Sequence, residues 1–165
     1  MKVKIKKLFE DAILPTYGSS GAAGADLYAY IPDESASGKD SDGNNMVAIP
    51  PNATVMIHTG VAVEIPKGYV GLICARSGKA TKEGLAPANK IGICDEDYTG
   101  PVFCALHNHN TPHNGDSAVE FSGTVKHGER IAQLVIVPYE KAEWDVVDEL
   151  DKTDRAEGGF GSTGK

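Results

Sequence analysis

The chain has 165 residues, which is long enough for one domain with a real core and short for two. Its formal net charge of −7 argues against a protein that coats nucleic acid, because phosphate binding needs a basic face. Nineteen glycines and nine prolines, spread along the chain, predict many turns and short strands rather than long helices.

The three cysteines, Cys74, Cys94 and Cys104, are odd in number and lack the close spacing of a zinc site. The sequence shows neither a signal peptide nor a long apolar segment. We therefore expect free thiols in a cytoplasmic protein that does not enter a membrane.

The first half of the chain alternates between strand-like and loop-like segments. Residues 1–8 alternate apolar residues with lysines and predict an edge strand. Small residues then surround Asp26, which is either a turn cap or a site group, and a strand follows. Residues 32–45 are rich in Ser, Asp, Gly and Asn and predict a solvated loop. Residues 55–63 have apolar period two, which predicts a half-buried strand.

A further strand, predicted over residues 69–75, runs directly into Arg76, Ser77 and Gly78. Ser77 is predicted to cap a short helix that Gly84 ends. A helix start with an arginine, a serine and free backbone amides is suited to an anion. The alternative is an ordinary capped helix on the surface.

Residues 93–100 hold three acids, a tyrosine and a glycine between two apolar, partly alternating flanks. This pattern predicts two strands joined by a tight hairpin. Asp95, fixed in such a turn with Tyr98 three residues on, can activate a water while the ring holds a flat substrate. The alternative is that the acids only form a solvated turn. The motifs around the turn favour the functional interpretation.

Two later segments contain polar groups that need an explanation. Residues 107–116 contain three histidines, but no regular element fixes their geometry, so we do not expect a metal site there. Residues 128–138 form a turn that leads into a buried strand. Arg130 and Gln133 are its strongly polar groups, and a neighbouring strand or a ligand must satisfy them.

The last segment, residues 159–165, fits the opening of a phosphate-binding P-loop. We reject that interpretation because a P-loop follows a strand and opens a helix, a context that these residues lack. A disordered tail is one alternative. The other is a flexible arm in which Arg155, Phe160 and two hydroxyl groups fold over a nucleotide.

Five segments, in this order, make the chain resemble the homotrimeric dUTPase (deoxyuridine triphosphate nucleotidohydrolase) family: residues 23–29, 75–80, 89–100, 128–138 and 155–164. They span nearly the whole chain. The resemblance implies an all-β, jelly-roll-like subunit over residues 1–154, with one short helix. It also implies a mobile glycine-rich arm over residues 155–165, and a homotrimer that encloses three sites between its chains.

The resemblance assigns roles to the residues around the turn. Asp95 matches the acid that activates the attacking water, and Asn89 matches the amide that contacts uracil. Tyr98 is implied to lie under the deoxyribose and to exclude a 2′-hydroxyl. Backbone groups that line the base edge are implied for Ile93, Cys94 and Phe103.

A second set is implied to hold the phosphates: Arg76, Ser77, Gly78 and Gln133. In the arm, Arg155, Ser162 and Thr163 are implied to bind the γ-phosphate, with Gly161 beside them, while Phe160 stacks on uracil. Asp26 matches a residue that acts near Mg²⁺ through water and is not a direct ligand. The implied cofactor is therefore Mg²⁺, carried on the triphosphate of dUTP.

The implied reaction is hydrolysis of dUTP to dUMP and pyrophosphate by water attack at the α-phosphate. This would limit uracil in DNA and supply dUMP for dTMP synthesis. Two alternatives stay open, a dCTP deaminase with the same fold and a non-catalytic regulator that responds to nucleotides. The sequence departs from the family pattern at Cys94, usually aliphatic, at Ala75, usually proline, and at Ala156, usually glycine.

Overall fold

The computed structural model describes residues 1–111 and 123–158. In this part of the chain there are twelve β-strands, one α-helix and one 3₁₀ turn (Asp33–Ser35). The strands are β1 (Lys4–Lys7), β2 (Thr16–Tyr17), β3 (Ala25–Tyr28), β4 (Gly38–Lys39), β5 (Asn45–Ile49), β6 (Thr54–Glu64), β7 (Tyr69–Ala75), β8 (Leu85–Pro87), β9 (Ile91–Cys94), β10 (Pro101–Asn108), β11 (Gly123–Lys126) and β12 (Arg130–Pro138). Helix α1 spans Ser77–Lys82. The prediction of an all-β subunit with one short helix is confirmed.

Three antiparallel sheets share one apolar core. Their strand orders are β1-β6-β10-β8, β11-β5-β4 and β2-β3-β12-β7-β9. Side chains from all three sheets meet in the core, among them Leu27, Ile49, Ile73 and Leu106. Strand β10 shows how the sequence produces this arrangement, because alternate side chains along it are buried. The predicted edge strand is β1, which lies at the edge of its sheet as expected.

The predicted hairpin around residues 93–100 is wrong. Strand β9 pairs with β7, whereas β10 pairs with β6 and β8, so the turn connects two different sheets. The physical reason is a close approach between β9 and β7. A Cβ on Gly92 would lie 3.1 Å from the Cβ of Ile73, and a Cβ on Gly71 would lie 3.1 Å from that of Cys94. The two glycines let β9 pack on β7 and leave a gap between β9 and β10.

The helix start also differs from the prediction, although its end does not. Arg76, with extended backbone, is the N-cap, and no side chain caps the helix there. Ser77 lies inside the first turn, where its carbonyl accepts the Thr81 hydroxyl at 2.7 Å. Gly84 follows the helix with a φ of 69°, a conformation that favours glycine, so the predicted end is confirmed.

The segment at residues 32–45, predicted as a solvated loop, contains the 3₁₀ turn and strand β4. Asp40 holds this segment in a regular structure. Its Oδ1 accepts the backbone N–H groups of Asp42 and Asn44 at 3.0 and 2.9 Å. Its Oδ2 lies 3.1 Å from Lys126 Nζ on β11. These bonds lower the pKa of Asp40 to about 2.

The chain after β12 forms no strand within residues 139–158. It carries Trp144, Val146 and Leu150, which are 89%, 94% and 86% exposed. The division at residue 154 between body and arm remains a prediction. Among the described residues, no helix is long and apolar enough to cross a membrane.

Candidate active site

The first group of predicted site residues lies where β3, β12 and the start of α1 meet. Asp26 is 5% exposed, and its two carboxylate oxygens accept two arginines. Arg76 Nε donates to Oδ1 at 2.8 Å, and Arg130 Nη1 donates to Oδ2 at 3.3 Å. We call Asp26, Arg76, Arg130 and Gln133 the arginine cluster.

A side-chain bond to the backbone and the pairing of β3 with β12 hold the arginine cluster together. Arg76 Nη1 donates to the Arg130 carbonyl at 3.2 Å, which ties the helix start to the start of β12. Gln133 lies opposite Asp26 in the β3–β12 ladder. A Cβ on Gly24 would lie 3.0 Å from Gln133 Oε1, so the small residue leaves room for the amide. Each guanidinium keeps donors that no described group uses, because arginine carries five N–H groups.

Ser77 and Gly78 lie beside this cluster in the first turn of α1. Ser77 is exposed, and a Cβ on Gly78 would meet nothing within 4 Å. The backbone here is therefore open to a ligand. Their phosphate-binding role remains a prediction.

The second group surrounds the gap between β9 and β10. Two adjoining cavities of about 220 and 110 Å³ share Ile73, Ile93 and Phe103 as walls. Tyr98 lines the larger cavity and Asn89 the smaller. The apolar side chains that the two cavities share suit the face of a flat ring, and the polar walls of the smaller cavity suit its edge. We call Asn89, Ile93, Cys94, Asp95, Tyr98 and Phe103 the turn cluster.

The turn is held by a few local bonds. The Tyr98 N–H donates to the Asp95 carbonyl at 3.2 Å, and the Tyr98 hydroxyl donates to the Pro101 carbonyl at 2.7 Å. A Cβ on Gly100 would lie 2.7 Å from the Tyr98 hydroxyl, so the ring covers this glycine. Glu96 anchors the turn from outside, because its Oε2 accepts the Gly68 N–H at 2.5 Å. The Asp95 side chain stays exposed.

Cys94 is only 4% exposed and packs against Gly71 in the core. Burial and, secondarily, the charge of Asp95 raise the pKa of its thiol. The thiol is therefore protonated at neutral pH, and its packing shows why a small apolar residue suits this position. Its predicted contact with the base edge depends on the backbone.

Asp95 and the arginine cluster lie towards opposite ends of β7, whereas Asn89 precedes Ile91, the partner of Cys74, and lies towards the arginine end. Cys94, just before the turn, is opposite Gly71, whereas Arg76 follows the last residue of the strand. Five residues at about 3.3 Å each place Gly71 and Arg76 roughly 16 Å apart. The turn that carries Asp95 is therefore separated from the arginine cluster along β7.

The arm residues are only partly described. Arg155 Nε donates to the Gly158 carbonyl at 2.7 Å, a local contact. Ala156, where the family usually has glycine, has a φ of 43°, in the region that favours glycine. Phe160, Gly161, Ser162 and Thr163 lie outside the described residues.

Two contacts that hold these sites in place were not predicted. Arg130 was recognised as a polar residue in need of a partner, and its partner is Asp26, 104 residues away. Glu96 resembled an ordinary turn acid. No local pattern indicated either contact, because both join segments that are distant in sequence.

Among the described residues, no group of three or more His, Cys, Asp or Glu side chains could hold a metal ion. Asp26 also has two arginine partners. A carboxylate offers about four lone-pair positions, so two remain for water molecules. Asp26 could therefore contact a Mg²⁺ ion through water while it keeps both arginines.

A family model described as dUTPase matches residues 10–164. A curated relative from Hydrogenobaculum sp. (strain Y04AAS1), named deoxyuridine 5'-triphosphate nucleotidohydrolase, is 42% identical over 164 residues, covering 99% of each chain. A relative of the same name from Syntrophotalea carbinolica is 42% identical over 162 residues, covering 98% of this chain and 96% of its own.

Solved structures of phage proteins are also similar. A mutant of the Staphylococcus bacteriophage 80alpha dUTPase with dUpNHpp has a TM-score of 0.81 and 29% identity, with 99% of each chain covered. A mutant dUTPase from phage phi11 of S. aureus, described with a structural Mg(II) ion, has a TM-score of 0.74 and 27% identity. The match covers 92% of this chain and 100% of the phage protein.

Proposed function

The chain belongs to the dUTPase family, and from this premise we propose that it hydrolyses dUTP to dUMP and pyrophosphate by water attack at the α-phosphate. The reaction limits uracil in DNA and supplies dUMP for dTMP synthesis. The observation that carries the assignment is the turn cluster, in which the exposed Asp95 directly follows Cys94, a wall of the larger cavity. The names of the curated relatives do not favour the deaminase or the regulator.

Uracil occupies the gap between β9 and β10 in this proposal. The Asn89 amide contacts the base, and backbone groups of Ile93, Cys94 and Phe103 read its edge. The Tyr98 ring lies under the deoxyribose, where it leaves no room for a 2′-hydroxyl. The bond from its hydroxyl to Pro101 supports this role, because it fixes the ring before substrate binds.

Asp95 is the general base in this proposal. Its carboxylate takes a proton from the water that attacks the α-phosphorus. Anchoring of the turn by Glu96 supports this role, because a base must be held within hydrogen-bond reach of its water.

The phosphates bind at the arginine cluster, through Arg76, Ser77, Gly78 and Gln133. Preorganised donors stabilise charge that develops on the leaving pyrophosphate. Asp26 orients Arg76 in advance, which supports this role. Mg²⁺ bound with the triphosphate would offset its negative charge, and Asp26 would hold the ion through water.

The site forms between chains of a homotrimer in this proposal. The separation of Asp95 from Arg76 along β7 supports it, because a site between chains can place Asp95 of one chain beside Arg76 of another. The outward face of the five-stranded sheet also supports it. Ile91 and Ile93, 50% and 61% exposed, lie on that face with Leu72 and Val135. Such an apolar patch is typical of an interface.

The arm closes the site in this proposal. Arg155, Ser162 and Thr163 hold the γ-phosphate, Gly161 lies beside them, and Phe160 stacks on uracil. Closure excludes bulk water at the moment of attack. We also propose a cytoplasmic location, because all three cysteines are free thiols, as expected in a reducing compartment.

Pyrophosphate release from dUTP, dTTP, dCTP and UTP tests the function, together with light scattering for the trimer. We expect release from dUTP far above the other three nucleotides. Conversion of dCTP to dUTP would instead identify a deaminase. Nucleotide binding without turnover would identify a regulator.

A further inference from the structure

Lys79 lies on the buried side of α1 and is 2% exposed. Its ammonium group pairs with Glu83 Oε2 at 2.5 Å and with Glu129 Oε1, and it lies 3.4 Å from the Thr124 carbonyl. Burying a charge is costly unless it is paired and hydrogen-bonded. An apolar side chain would pack the same helix face without that cost, so stability alone does not explain the lysine.

Glu129 connects this lysine to the arginine cluster. It lies directly before Arg130, and its second carboxylate oxygen accepts the Lys126 N–H at 2.9 Å. Its backbone carbonyl accepts the Ala29 N–H at 2.7 Å. The Lys79–Glu129 pair therefore joins α1, the turn before β12 and the chain just after β3. Arg76, Arg130 and Asp26 lie next to these three segments, at the N-cap of α1, at the start of β12 and within β3.

We propose that Lys79 is a positioning residue for the arginine cluster. Its buried pair with Glu129 fixes the start of α1 against the start of β12, and so sets the spacing between Arg76 and Arg130. The inference rests on the proposed function, in which this cluster grips the phosphates. A displacement of about 1 Å in such a site is enough to cost activity, even when its cause lies outside the chemistry.

The test compares two ligands that share a base and a sugar but differ in phosphates. Dissociation constants for dUpNHpp, a non-hydrolysable triphosphate analogue, and for dUMP are measured with Lys79→Met, together with kcat and KM for dUTP and the thermal midpoint. We expect about tenfold weaker binding of dUpNHpp and dUMP affinity within about twofold of the wild type. Methionine keeps most of the side-chain volume, so the trimer should still assemble.

Three further variants make the test specific. Glu129→Gln removes the charge on the β12 side and should reproduce the selective loss. Lys82→Met removes the same charge from an exposed position of α1 and should leave both affinities unchanged. Glu83→Gln should have little effect, because Glu83 follows α1 directly and does not join it to β12. Glu129→Gln also keeps the test valid if Lys79→Met does not fold.

The possible failures can be told apart. Equal weakening of dUpNHpp and dUMP, together with a lower thermal midpoint, would make Lys79 a structural residue only and overturn the inference. Normal dUTP turnover and normal dUpNHpp binding in both Lys79→Met and Glu129→Gln would also overturn it. If the wild type releases no pyrophosphate from dUTP, the proposed function itself fails.

Discussion

The arginine cluster and the turn cluster differ in how their charges are satisfied. Asp26 is buried and holds two arginines, so the fold assembles the cluster before any ligand arrives. Asp95 is exposed, and the nearby Tyr98 ring is 44% exposed beside an open cavity. The arginine cluster is therefore part of the structural framework, whereas the turn cluster is largely free to react. Changes in the two should have different effects.

The largest effect is expected at Asp95. Asp95→Asn should lower kcat for dUTP by about 10²–10⁴, the usual contribution of a positioned general base. The trimer, the thermal midpoint and dUTP binding should be nearly unchanged, because the side chain is exposed. Steady-state kinetics and calorimetry check both parts. Near-normal turnover would remove Asp95 from its role.

Removal of the arm should separate phosphate binding from base binding. Truncation after Asp154 should lower kcat/KM for dUTP by about 10² or more, because water then reaches the site. Affinity for dUMP should barely change, because ordering the arm costs backbone entropy, and without the γ-phosphate the arm does not close and Phe160 does not stack on uracil. Stability should also be kept, since the last described strand ends at Pro138. A collapse of the thermal midpoint would show that the arm is structural.

Asp26 should show the opposite behaviour to Asp95. Asp26→Asn leaves two arginines without their shared carboxylate, and we expect a loss of about 1–3 kcal/mol in the free energy of unfolding. The value stays below that of a fully buried ion pair, because Arg130 is half exposed. Denaturant unfolding of Asp26→Asn and Asp95→Asn measures the contrast directly. Equal stability losses would contradict the division into framework and reactive regions.

The sequence predicted individual strands well but predicted poorly which strands pair with each other. Strand β6 follows from a period-two pattern, and β7 from a short apolar run bounded by a turn, both of which depend only on neighbouring residues. The pairing of β9 with β7 depends on Gly71 meeting Cys94 and Gly92 meeting Ile73, contacts between distant segments. No pattern within residues 89–106 contains that information.

The same limit applies to the site. The five motifs identified nearly every polar group that the two clusters contain, including Asp26, Arg76 and Tyr98. They did not indicate that Arg130 shares Asp26 with Arg76, or that Lys79 is buried between two carboxylates. Lys79 was not singled out, because helix propensity gives no sign of which face of a short helix is covered.

The smallest effect is expected for the contact between Tyr98 and the sugar. It separates the role of the Tyr98 ring from that of its hydroxyl within the turn cluster. If the Tyr98 ring excludes a 2′-hydroxyl, Tyr98→Ala should narrow the ratio of kcat/KM between dUTP and UTP by about tenfold, since a lost steric contact is worth about 1–3 kcal/mol. Tyr98→Phe is the matched control. It keeps the ring and removes only the hydroxyl that donates to Pro101, so the ratio should stay close to that of the wild type. Steady-state kinetics of each variant with dUTP and UTP measure this ratio.

An unchanged ratio of kcat/KM between dUTP and UTP in Tyr98→Ala would assign the discrimination to another residue. A narrowed ratio in Tyr98→Phe would assign it to the hydroxyl bond that fixes the ring.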